Sequence, residues 1–113
     1  MLYVDFATKK KTYKLRLTTR NVVELERKLG GNPLTIFGDG ETIPTIGSMV
    51  AVLHCALQAF EHGISYDDAF DIFDAWLEEG NIATDFINVI LEVYRASGLA
   101  PKQADNEDNE EKN

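Results

Sequence analysis

The chain has 113 residues, 44% of them hydrophobic and 27% charged, which is enough for one hydrophobic core and too little for two. That composition excludes a disordered or fibrous chain, and no stretch approaches the roughly 20 continuous apolar residues of a membrane span. A formal net charge of −8 argues against nucleic acid as a partner, because phosphate binding needs net positive surface. The charge is unevenly placed. Lys9, Lys10, Lys11, Lys14, Arg16 and Arg20 face only Asp5 within residues 1–20, so the acidity belongs to the remainder of the chain. The lysines read as a solvated turn tip, or as a basic end that meets acidic surface of the same or a neighbouring molecule. MLYVDFATKKK holds no basic region ahead of an apolar run, so no secretory signal is expected and the cytoplasm is the expected compartment. Cys55 is the single cysteine, which excludes an internal disulfide and a multi-cysteine zinc site.

In chain order, residues 2–6 and 12–17 are short runs of β-formers. Tyr13, Leu15 and Leu17 alternate with Thr12, Lys14 and Arg16, so a β-hairpin with one face on the helices is expected. TTRNVVELERKLGGNP then reads as a punctuated helix. Thr18 or Thr19 caps it, Val22, Val23, Leu25 and Leu29 form its apolar side, and Gly30-Gly31 ahead of Asn32-Pro33 stops it. Residues 34–37 suggest a brief helical turn, and residues 38–42 a flexible loop. From Thr45 to Gly63 the apolar residues Ile46, Met49, Val50, Leu53, Leu57 and Phe60 recur at spacings of three and four, broadened by Val52 and Ala56. A helix so widely apolar must be covered on two sides, so this is the expected central core helix.

SYDDAFDIFDAWLEEG spells a third helix, with Ser65 as cap, Asp67 and Asp68 at the positive end of the dipole, and Tyr66, Ala69, Phe70, Phe73, Trp76 and Leu77 as the buried stripe. The last helix is expected from about Thr84 to Ser97, ended by Gly98. Its polar residues Asp85, Asn88, Glu92 and Arg95 make one narrow line. Phe86, Ile87, Val89, Ile90, Val93 and Tyr94 fill much of the rest, and so wide an apolar surface is expected to leave part of itself for a protein partner. Residues 101–113 are rich in Asp, Glu and Asn and read as a disordered acidic tail. The expected fold is therefore α+β, mostly α. A single domain over residues 1–100 packs an N-terminal hairpin on about four helices.

No residue pattern specifies catalysis or a cofactor. Asp67-Asp68-Ala69-Phe70-Asp71 matches DDxxD, a magnesium-diphosphate motif, but that chemistry needs a deep helical cavity and a second acidic cluster that so short a chain cannot build. A capped helix start with a solvated acidic face explains it, and Asp74 and Glu78 continue the line at helical spacing. Neighbouring helix positions diverge by about 100°, so His54 and Cys55 cannot form a base and nucleophile pair. His54 and His62 are too far apart for i, i+4 metal ligation and lack a third ligand. The glycine pairs match no phosphate-loop or dinucleotide fingerprint.

The order of a short hairpin, LRLTTRNVVELERKLGGNPL, VAVLHCALQAFEHGISYDDAFDIFDAWLEEG and FINVILEVYRASGLAPK resembles the tail assembly chaperones of long-tailed bacteriophages of Gram-positive hosts, over about Leu2 to Lys102. LTTRNVVELERKLGGNPL and HGISYDDAFDIFDAWLEEG carry most of the resemblance. It implies a non-enzymatic protein of the host cell cytoplasm that holds the apolar tape-measure protein soluble while tail-tube subunits polymerise, and that is absent from the mature virion. It also implies a longer product made by ribosomal frameshifting that helps recruit the tail-tube protein. In that role the face of Phe86, Ile87, Val89, Ile90, Val93 and Tyr94 is expected to touch client. A homo-oligomer is expected to form through Lys9, Lys10 and Lys11 of one copy against Asp71, Asp74 and Glu78 of the next. The alternatives are a structural virion component or a small helical protein-binding adaptor.

Overall fold

The computed structural model describes residues 2–37 and 43–101. The loop expected at residues 38–42 and most of the acidic tail, 102–113, lie outside the described residues. Strands β1 (Val4–Ala7) and β2 (Thr12–Leu15) pair antiparallel, with Phe6 opposite Tyr13 and Val4 opposite Leu15. Thr8 and Lys11 exchange backbone hydrogen bonds at 2.9 and 3.2 Å, which closes a two-residue turn over Lys9 and Lys10. The alternation read from the sequence is obeyed. Phe6, Leu15 and Leu17 are buried, whereas Thr12 and Lys14 face solvent.

Four α-helices follow: α1 (Thr19–Leu29), α2 (Ile46–Leu57), α3 (Tyr66–Glu78) and α4 (Asp85–Ala96), with a 3₁₀ turn over Pro33–Phe37. The architecture is the expected hairpin on a helical bundle, α+β and mostly α. Thr18 caps α1 through Oγ1, which accepts from Asn21 N at 3.2 Å, and Gly30 ends it at φ 78°, a left-handed conformation that costs glycine little. Ser65 and Asp68 form a reciprocal capping box at the start of α3, with bonds of 2.9 and 3.1 Å.

Helix α2 is the centre of the core, touching α1, α3, α4 and β2. Met49 to Leu53 and Cys55 to Leu57 are all buried. It is shorter than the apolar spacing predicts. Gln58 folds its side chain back onto the carbonyl of His54 at 3.1 Å, and the backbone then turns through residues 59–63, so Phe60 leaves the stripe and is exposed. Ile46, in the first turn, is exposed as well.

One aromatic cluster ties three elements together. Phe6 of β1, Phe73 and Trp76 of α3, and Phe86 of α4 have ring centroids 5.2 to 5.7 Å apart in five of their pairings, in tilted or edge-to-face geometry. Arg16, at the end of β2, donates from Nη1 to the carbonyls of Leu2 (2.9 Å) and Ala96 (2.8 Å), while its own amide donates to Ala56 at 3.0 Å. Its guanidinium thus meets the negative end of α4 as the strand amide satisfies an open carbonyl of α2. Leu17 N adds a bond of 2.9 Å to Ser97 Oγ.

Phe86 is wholly buried in the aromatic cluster, so Phe86→Ala should cost about 3–5 kcal/mol in chemical denaturation. Ile82→Ser, at a position 62% exposed, should stay within about 0.5 kcal/mol of the unaltered chain in the same measurement.

Candidate protein-interaction surface

The face expected on α4 is not available. Phe86, Ile90, Val93 and Tyr94 are fully buried, and Ile87 and Val89 are half-buried. The reason is that both flanks of α4 are covered. β1 and α2 pack against it, Phe86 enters the aromatic cluster, and the 3₁₀ turn closes over its other end. There Tyr94 donates its hydroxyl to the Pro33 carbonyl at 2.9 Å and meets the Phe37 ring edge-on at 6.0 Å. Burial pushes the Tyr94 phenol well above its ordinary value, with Cys55 adding to the rise. Its wide apolar surface therefore serves the core. The hydropathy pattern shows how apolar α4 is; it does not show that a hairpin and a turn from distant sequence both cover it.

The basic tip is partly committed within its own molecule. Lys11 Nζ lies 2.8 Å from Glu61 Oε2, and that hydrogen bond holds the ammonium above its ordinary value. The amide of Lys9 donates to Glu79 Oε2 at 2.7 Å. Lys9 and Lys10 are exposed, and so are Asp71, Asp74 and Glu78. Of the expected intermolecular contacts, Lys11 is thus already paired, and the remaining groups are open to solvent.

Exposed aromatic surface lies where the sequence placed buried stripe. Tyr66 is 37% and Phe70 41% exposed, one turn apart on α3, with centroids 5.1 Å apart and edge-to-face. Lys28, from the last turn of α1, holds its ammonium 4.4 Å from the Tyr66 ring centroid. Asp67 and Asp71 run beside the rings on the adjacent exposed row. A second exposed pair, Tyr3 and Phe60, meets edge-on at 5.7 Å with Lys14 near both rings.

Beneath Tyr66, at 5.3 Å and edge-on, sits His54. Its Nε2 lies 3.1 Å from the carbonyl of Ile64, which also accepts from Gln58 Nε2 at 2.9 Å. Nδ1 is buried and has no hydrogen-bond partner among the described residues. In the neutral tautomer Nε2 donates and Nδ1 needs no proton, which suits this site. Burial lowers the His54 pKa and the Lys28 charge lowers it further, against smaller opposing effects of the Ile64 carbonyl and Glu24. Cys55, the next residue of α2 and about 100° round the helix, is buried and its thiol is pushed up to about 11, again chiefly by burial, so it stays protonated at neutral pH. Asp68, the middle of the DDxxD run, is engaged in the α3 cap. No group of three or more His, Cys, Asp or Glu side chains that could hold a metal occurs among the described residues. No helix among them is long and apolar enough to cross a membrane. An open depression of about 420 Å³ lies between the start of α1 and the turn after α2, lined by Arg20, Glu24, Gln58 and His62 among others.

The described residues form a hairpin laid on four short helices, with exposed aromatic side chains among carboxylates. The chain belongs to DUF6096, a family of unknown function, which it matches over residues 7–112. No curated protein and no solved structure matches it.

The depressed pKa of His54 sets a pH dependence. The unfolded chain takes up a proton near pH 6.5 that the folded chain resists, so stability present above that value is lost as pH falls through it. Denaturation midpoints measured from pH 7.5 down to 5.5 should fall more steeply for the unaltered chain than for His54→Gln, which does not titrate. Parallel pH profiles would contradict this assignment.

Proposed function

We propose that the protein is a tail assembly chaperone of a long-tailed bacteriophage. In this reading it is not an enzyme; it holds the apolar, helical tape-measure protein soluble in the host cytoplasm and leaves before the virion is complete. The observation that carries the reading beyond the resemblance in element order is the Tyr66 and Phe70 pair, exposed beside carboxylates on an acidic domain. A client-holding protein needs apolar contact area for the client and like charge on its exterior to keep the complex dispersed. Self-association is the second part of the proposal: Lys9 and Lys10 of one copy meet Asp74 and Glu78 of the next, a head-to-tail contact that does not have to close.

Co-expression with a tape-measure protein tests the first part. The client should be found in the soluble fraction with this protein and in the pellet without it, and should co-purify with it; an equally insoluble client in both cultures would reject the chaperone role. Detection of the protein by mass spectrometry in purified particles would favour a structural component instead. For the second part, light scattering at low salt should give a mass above the monomer that falls with added salt and with Lys9→Glu/Lys10→Glu. A salt-independent monomer at every concentration would reject it.

A further inference from the structure

We infer that the start of α3 is a docking surface for a basic amphipathic helix of another protein. It is built from the aromatic row Tyr66 and Phe70 and the carboxylate row Asp67 and Asp71. This deepens the chaperone reading by naming where the client sits and what chemistry it presents, and it moves the client surface from α4 to α3. Both rows repeat at i, i+4 and lie side by side along one helix axis. All four side chains are exposed.

The two rows select the occupant. Two exposed rings call for apolar partners, and two carboxylates in the adjacent row call for cations. A helix carries apolar and basic rows on adjoining stripes, so it can meet both at once. A strand puts a single file of side chains on each face, so it does not present two adjoining stripes to two adjoining rows. The Tyr66 ring already holds the Lys28 ammonium 4.4 Å from its centroid, so an incoming cation meets the carboxylates of Asp67 and Asp71 rather than this ring. The charge sign rejects acidic helices by the same contacts that favour basic ones. Beneath the surface, the Ser65 and Asp68 capping box and the His54 and Gln58 bonds to Ile64 fix the start of α3, so the rows are presented without prior ordering.

Two synthetic helical peptides test this, one with Leu and Lys at amphipathic spacing and one with Glu in place of every Lys. The full chain should bind the Leu/Lys peptide in a salt-dependent manner by titration calorimetry. Phe70→Ala and Asp67→Lys/Asp71→Lys should each weaken that binding roughly tenfold or more, with circular dichroism confirming the fold. The Leu/Glu peptide should not bind. The surface is refuted if both variants bind the Leu/Lys peptide like the unaltered chain, or if the Leu/Glu peptide binds equally. It is also refuted if the unaltered chain forms a dimer that Phe70→Ala makes monomeric, since a second copy would then own the face. Should Phe70→Ala fail to fold, the charge-reversal variant alone decides. Failure of tape-measure solubilisation with intact peptide discrimination would remove the chaperone role and keep the surface. Loss of discrimination with solubilisation intact would do the reverse.

Discussion

The structure depends on enclosing one helix. α2 buries eight of its twelve residues, so it has almost no face that water can share, and the elements that contact it are placed by the need to cover it. α1, α3, α4 and β2 each contact it. A single covering layer would leave apolar side chains of α2 in water at a cost of about 1.5–3 kcal/mol for each large one. The hairpin alone would be marginal as two strands, and it persists because Phe6, Leu15 and Leu17 are part of that enclosure.

Enclosure on all sides creates a problem at the helix ends, where backbone carbonyls are left open in an apolar setting. Arg16 and its neighbours resolve it. The strand amide of Arg16 takes the Ala56 carbonyl, its guanidinium takes those of Leu2 and Ala96, and the next residue bonds Ser97. Both guanidinium bonds leave one nitrogen, Nη1, whose two hydrogens lie in the plane of the group and reach two carbonyls at once. The same logic holds at the other end of the connection between α2 and α3. One carbonyl, that of Ile64, accepts from both His54 and Gln58 and fixes the turn that leads into the Ser65 cap.

Much of this was legible because it is local. The caps at Thr18 and Ser65, the stop at Gly30 and the hairpin alternation are each set by a few adjacent residues, and the structure has them. Apart from the early end of α2 at Leu57, the differences concern which neighbour covers which face. α4 has the surplus of apolar surface that its spacing indicates, yet Phe86 and Tyr94 spend it on β1 and on the Pro33 turn, contacts that span 80 and 61 residues. α3 has the stripe that its spacing indicates, yet Tyr66 and Phe70 lie at its edge, where His54 of α2 and Lys28 of α1 meet the Tyr66 ring and still leave both rings partly in water. Periodicity gives the width of an apolar stripe. It carries no information about the width of the neighbour that meets it. Asp71, Asp74 and Glu78 are exposed as their helical spacing indicates, because a row of carboxylates stays in water whatever packs beside it.

An exposed pair of aromatic rings is a hazard for a small acidic protein unless something moderates it, and the geometry at Tyr66 does. The two rings meet edge-to-face and so shield part of each other, and the Lys28 ammonium lies against Tyr66, which hydrates that side of the ring. Asp67 and Asp71 place like charges beside the rings of every copy, so two identical faces repel before their aromatic side chains can meet. A basic partner has the opposite relation to the same carboxylates. What discourages like-to-like association at this surface is therefore also what would favour a cationic, apolar helix. Because part of the ring surface is already covered in the free protein, the gain for any partner that docked there is reduced.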